Sequence, residues 1–186
     1  MFEHPIAQTI VDALNAEQIP FMLVGSFSSN FYGIPRSTKD ADFVIELAGK
    51  SILALNRHLP AEFHLDPQIR FESVTGTKRN VIDIDGTPFQ VELFRLSDDA
   101  HDQERFRRRV AVESKGRVVY LPTAEDVIIT KLRWVGWLGR RKDVDDIRDV
   151  ISVRESELDW DYIQHWCDQH ATREWLEKIR LEIRPS

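Results

Sequence analysis

The chain has 186 residues, of which 42% are hydrophobic and 30% charged, enough to enclose one core, alone or with a helical extension. Its net charge of −6 argues against a general nucleic-acid coat, but leaves room for two local basic clusters: Arg105, Arg107, Arg108 and Arg109, then Arg140, Arg141 and Lys142. No stretch approaches the roughly 18 consecutive apolar residues of a membrane helix, no signal-like segment opens the chain, and the single cysteine, Cys167, excludes an internal disulfide and a Cys-rich zinc site. A cytoplasmic protein with no membrane partner is expected.

Ile6, Ile10, Val11 and Leu14 recur at helical spacing and predict an amphipathic helix in the first seventeen residues. Pro20 releases the chain into a strand, Phe21 to Val24. Gly25-Ser26 follows as a turn, and Phe27 with Phe31 suggests a short helix ended by Gly33-Ile34-Pro35. Asp40 to Leu47 returns as a strand, followed by a helix from about Lys50 to Leu59 and weaker strand signals through Thr77. Two alternating runs, Asn80 to Ile84 and Pro88 to Phe94, flank Asp85-Gly86, a hairpin pattern. A charged helix near Asp99 to Arg108 and two short strands around Val110 to Val112 and Val118 to Leu121 precede a change to all helix near Pro122.

On an extended strand residues i and i+2 share a face, so Asp40 and Asp42 converge while Ala41 and Phe43 point the other way. Carboxylates held that close repel, and a divalent cation between them relieves the repulsion. Parity supplies a third acid: Phe89, Val91 and Leu93 share one face of their strand, which leaves Glu92 on the other. If the two strands are neighbours, the three carboxylates form a hard-ligand set suited to Mg²⁺ or Mn²⁺. Asp83 and Asp85 are rival third ligands, although turn chemistry alone explains Asp85. Gly25 and Ser26 make a candidate phosphate-binding turn, and Arg36 and Lys39 lie in the loop leading to the acids, where they could steady a nucleotide or an acceptor.

The run Val24-Gly25-Ser26, then Tyr32-Gly33-Ile34-Pro35-Arg36-Ser37-Thr38-Lys39-Asp40-Ala41-Asp42, resembles the signature of the nucleotidyltransferase superfamily related to DNA polymerase β. It is most similar to the small prokaryotic branch of minimal nucleotidyltransferases and abortive-infection-type toxin enzymes. The resemblance implies an α/β (α+β) fold with a mixed-sheet nucleotidyltransferase core, here residues 1–121, and a helical part, residues 122–186, that packs on the core and closes the cleft. It also implies a nucleoside triphosphate substrate held at Gly25 and Ser26, with metals on Asp40, Asp42 and a third acid. In the family that third acid is usually Asp; here it would be Glu92, which would join one ion and act as general base. The acceptor is left open between a tRNA end, a protein and a small molecule such as an aminoglycoside. An antitoxin partner belongs to the same implication.

In the helix after Thr123, Val127, Ile128, Trp134, Val135 and Leu138 form one apolar face, and Lys131 falls in its middle. An ammonium there must snorkel to water or meet a phosphate or carboxylate. The resemblance favours a nucleotide-contacting lysine. Asp143 and Asp146 border the core side of the next helix, where they either complement the helix dipole or orient the lysine or metal shell. Two competitors remain: a catalytically inactive module of this fold that binds nucleotide, RNA or a partner protein, and a metal-dependent nuclease using the same acids.

Overall fold

A computed structural model describes residues 4–72 and 76–183 of the chain. Two compact units emerge, one of residues 1–27 and 37–121, the other of residues 28–36 and 122–186. The first holds α1 (Pro5–Ala16), β1 (Phe21–Val24), β2 (Asp40–Ile45), β3 (Phe63–Leu65), β4 (Arg70–Phe71), β5 (Lys78–Ile84), β6 (Gln90–Arg95), α3 (Ala100–Arg107), β7 (Val110–Ser114) and β8 (Arg117–Leu121). The helix α2 (Gly25–Tyr32) begins in this unit and runs into the second.

The main sheet has the order β1-β2-β6-β5-β3, with β4 added on β5. Among the described residues only β2 and β6 run parallel and every other neighbouring pair is antiparallel, so the sheet is mixed, as the resemblance implies. Strand alternation sorts the side chains. Phe21, Leu23, Ala41, Phe43, Ile45, Val91 and Leu93 are buried on one face, and α1 adds Ile10, Val11 and Leu14 to the core. The opposite face is divided. Met22, Val24 and Val44 pack with Phe106 of α3, Phe94 and Leu96, while the acids occupy the rest. The separate hairpin β7-β8 places Tyr120 edge-on against Phe21, with 5.6 Å between ring centroids.

Residues 50–59 differ from expectation: a 3-10 segment, Ile52–Arg57, replaces an α-helix. Only Ile52 and Leu55 are buried there, three apart, which suits the three-residue turn and gives a longer helix no apolar stripe.

The second unit contains α4 (Ala124–Leu138), α5 (Arg141–Arg154), a 3-10 turn (Glu155–Glu157), α6 (Trp160–Gln169) and α7 (Arg173–Ile183). Its core joins Ile128, Leu132 and Val135 to Ile147, Val150, Ile151, Ile163, Cys167, Leu176 and Ile179. Thr123 caps α4 by accepting from Asp126 N, and Gly139 at φ 59° closes it in the left-handed conformation. The buried Asp126 carboxylate receives the Tyr162 hydroxyl at 2.8 Å and the Thr123 hydroxyl at 3.0 Å. Leu138, predicted to lie on the apolar face, is 48% exposed at the last residue of the helix.

Residues 28–36 join this unit through specific contacts. The Tyr32 hydroxyl donates to Pro122 O at 2.8 Å, and Gly33 lies so close to α5 that a Cβ there would stand 3.0 Å from Val150 N. Among the described residues no helix is long and apolar enough to cross a membrane.

Candidate active site

In the first unit the pairing of β2 with β6 sets Asp40 beside Gln90 and Asp42 beside Glu92. Paired residues of neighbouring strands point to the same face, so Asp40, Asp42 and Glu92 lie together, with Ala41, Val91 and Leu93 buried behind them. The rival Asp83 lies on β5, two strands from Asp40, and pairs with Gln90 of β6, whose amide donates to the Asp83 carboxylate at 2.7 Å. Asp85 lies in the turn beyond β5, 3.0 Å from the His64 ring. Strand spacing of roughly 4.8 Å per step puts Glu92, not Asp83, within reach of Asp42.

Each outer carboxylate is held by a neighbour. The Thr38 hydroxyl donates to Asp40 Oδ1 at 2.6 Å, a local i, i+2 contact. Arg79 Nη1 donates to Glu92 Oε2 at 3.1 Å from β5, where Arg79 pairs with Phe94 and so lies diagonal to Glu92. Burial pushes the Glu92 carboxyl above its ordinary value; Arg79 pulls it back, and the charge on Asp40 pushes it up again. The Asp40 and Glu92 charges are therefore close enough to sense one another. Three oxygen-donor acids on one face fit a hard divalent cation, which would relieve that repulsion.

Gly25 sits directly over this group. Its φ is +63°, a conformation that disfavours side chains, and a Cβ there would collide with Asp42 Oδ2 and stand 3.0 Å from Asp42 Cγ. The sequence thus needs glycine at this position twice over. The Gly25→Ala variant is expected to keep its fold at a cost of about 1–3 kcal/mol while displacing the Asp42 carboxylate. Chemical denaturation and divalent-ion binding, measured on one preparation, separate the two effects; unchanged ion affinity would remove the role given to this contact. Ser26 is buried on the first turn of α2, and Lys39 is exposed immediately before β2, where its carbonyl accepts from Gln90 N at 3.1 Å.

In the second unit Lys131 has found anions. Its ammonium donates to Asp143 Oδ1 at 2.9 Å and to Asp146 Oδ2 at 2.6 Å. Arg36 forks onto the same Asp146, with Nε at 2.7 Å and Nη2 at 2.9 Å, and Arg140 Nε lies 2.9 Å from Asp143 Oδ2. The cluster holds three cations and two nearly inaccessible carboxylates. Burial works against ionisation of Asp146, but the Arg36 hydrogen bond and the Lys131 charge outweigh it and hold the carboxyl below its ordinary range.

The structure thus gathers Gly25, Asp40, Asp42 and Glu92 in one group and Arg36, Lys131, Asp143 and Asp146 in another. Sequence reasoning missed Thr38 and Arg79, and it read Arg140 as part of a basic cluster rather than as a partner of Asp143. The Thr38 contact is local and legible in a Thr-x-Asp spacing, whereas the Arg79 contact depends on strand pairing and has no periodic signal.

The mixed sheet, its helices and the order of its elements define a nucleotidyltransferase fold. The solution structure of the antibiotic-resistance factor ANT(2'')-Ia is similar over 96% of this chain and 96% of its own, with a TM-score of 0.60 and 12% identity. An antigenic nucleotidyltransferase-like protein from Paracoccidioides brasiliensis aligns over 94% of this chain and 89% of its own, with a TM-score of 0.60 and 18% identity. A crystal structure of ANT(2'')-Ia in complex with adenylyl-2''-tobramycin aligns over 91% of this chain and 97% of its own, with a TM-score of 0.58 and 13% identity. No protein-family model matches the sequence, and no curated protein does.

Proposed function

We propose that this chain is a metal-dependent nucleotidyltransferase that moves a nucleoside monophosphate from a nucleoside triphosphate to an acceptor hydroxyl, with release of pyrophosphate. The observation that carries this reading is the parallel register that sets Asp42 beside Glu92, with Asp40 on the same face and the Gly25 backbone packed on Asp42. Asp40, Asp42 and Glu92 would hold Mg²⁺ or Mn²⁺, which when bound neutralises charge on the phosphates and on the attacking and leaving oxygens.

The chain's own groups take the other roles. Gly25 and Ser26 receive the β and γ phosphates at the first turn of α2, where glycine lets the backbone come close. Glu92, raised by burial, takes the proton from the acceptor hydroxyl through the oxygen that Arg79 leaves to it. Lys131 offers its charge to the nucleotide while Asp143 and Asp146 fix its position, and Arg36 steadies the same group. Lys39 is exposed at the edge of the acids and faces incoming acceptor or nucleotide. Rate enhancement rests on positioning and electrostatics rather than on a covalent intermediate.

The adenylyl-2''-tobramycin complex of a protein with this fold makes small hydroxylated antibiotics one class of acceptor to try, beside RNA and protein hydroxyls. No described residue singles out an antitoxin as partner. One observation favours the alternative, a catalytically inactive nucleotide-, RNA- or protein-binding module: the ion pair with Arg79 already engages one oxygen of the third acid.

The deciding experiment incubates the protein with each labelled triphosphate, Mg²⁺ or Mn²⁺, and total RNA, cell lysate or aminoglycosides. Label transfer with matching pyrophosphate release is expected, and an Asp40→Ala, Asp42→Ala control should lack both. Equal labelling in both preparations defeats the proposal, and nucleic-acid cleavage without triphosphate points instead to a nuclease.

A further inference from the structure

We infer that the corner formed by the end of α4 and the start of α5 is a binding surface for single-stranded RNA. At 3.6 residues per turn, Arg133 and Trp137 fall on one line of α4, about opposite the buried Ile128 and Val135. Trp137 is 51% exposed and Leu138 48%, although the core of this unit uses neither position. A tryptophan on the outer face of an amphipathic helix leaves a large apolar ring in water, and tryptophan is a residue type enriched at contact surfaces.

Cations interleave with the indoles. The Arg133 guanidinium lies 5.4 Å from the Trp137 ring centre, and Arg140 lies 4.5 Å from that of Trp134. Arg141 and Lys142 follow, both exposed and without an ion pair among the described residues. Of the acids on α5, the three nearest its start are otherwise engaged: Asp143 and Asp146 are buried against Lys131, and Asp145 pairs with Arg148 at 2.8 Å. A local excess of positive charge therefore stands on a molecule whose net charge is −6.

That chemistry selects the partner. Phosphates match the guanidinium and ammonium groups, and unpaired bases offer flat faces to an exposed indole. An acidic peptide would satisfy the charges and leave Trp137 uncovered, and a duplex would present phosphates with its bases stacked away. RNA is favoured over single-stranded DNA because its ribose end offers two vicinal hydroxyls where DNA offers one; in that respect the inference rests on the transferase reading and names its acceptor class.

The test is fluorescence anisotropy of a labelled single-stranded RNA with the full chain, without triphosphate or metal, so that binding is read independently of transfer. Binding should weaken as salt rises. The Arg141→Gln, Lys142→Gln variant should flatten the slope of log affinity against log salt by about 0.7 per lost phosphate contact. Trp137→Ala should weaken binding roughly tenfold with the slope unchanged. Both sites are exposed, so melting temperatures should stay at the parent value. Absence of binding at low salt, or parental affinity in both variants, overturns the inference even if transfer to another acceptor is found. Equal competition by poly-glutamate also overturns it, assigning the surface to an acidic protein. RNA binding with the predicted variant pattern but no labelled product sinks the transferase reading and leaves the surface standing.

Discussion

Replacing Asp42 by asparagine is expected to eliminate transfer without weakening the fold. The side chain keeps its size and its place beside Glu92, but loses the charge that a divalent ion and a triphosphate complex require. The loss should reach at least the roughly 10²–10³-fold that follows removal of one preorganised electrostatic group. Stability should be unchanged or slightly raised. Asp40 already pushes the Glu92 carboxyl upward, a sign of repulsion among these acids, and neutralising one member of the set relieves it. Thermal melting and a labelled-triphosphate assay on the same preparation check both halves. A variant that unfolds would show that Asp42 is a structural residue, and one that retains parental activity would take the acids out of the chemistry.

The Lys131 cluster should behave in the opposite way, with stability lost first. Lys131→Met leaves Asp143 and Asp146 buried with a cation removed, and breaking a buried charged group in this way costs about 3–5 kcal/mol. Replacing Lys131, Asp143 and Asp146 together by apolar side chains should recover most of that loss, because Arg36 and Arg140 can turn to water, their side chains being 34% and 37% exposed. If the cluster serves the nucleotide, the repaired protein still fails to bind triphosphate. Recovery of binding along with stability would reduce the cluster to a packing device.

Acid adds a second readout. The Asp146 carboxyl is held below its ordinary 3.8, so its contribution is complete above that pH and drains away as pH falls through the lower folded value. Melting curves across this window should show the parent losing stability that an Asp146→Asn variant no longer has to lose.

Much of the fold was legible because it rests on local rules. The alternation in Asn80 to Ile84 and Pro88 to Phe94, with Asp85-Gly86 between them, predicts the β5-β6 hairpin, and parity alone puts Glu92 on the face away from Val91 and Leu93. That β6 would lie beside β2 is a fact of topology, and strand parity cannot supply it. The Arg79 contact follows from the pairing of β5 with β6 and is equally invisible. Arg36 reads as a loop cation facing a ligand, yet it closes an ion pair with Asp146, 110 positions along the chain. Lys131 was easier to find, because a charge in the middle of an apolar stripe demands a partner wherever that partner lies.

The alternation of β2 has an evolutionary corollary. A slip of β2 by a single residue against β6 would rotate both aspartates into the hydrocarbon interior and turn Ala41 and Phe43 outward in the same step. The register of that strand is therefore as constrained as the identity of the acids, and directed evolution of this scaffold should tolerate length changes in the preceding loop long before it tolerates one inside Asp40–Ile45.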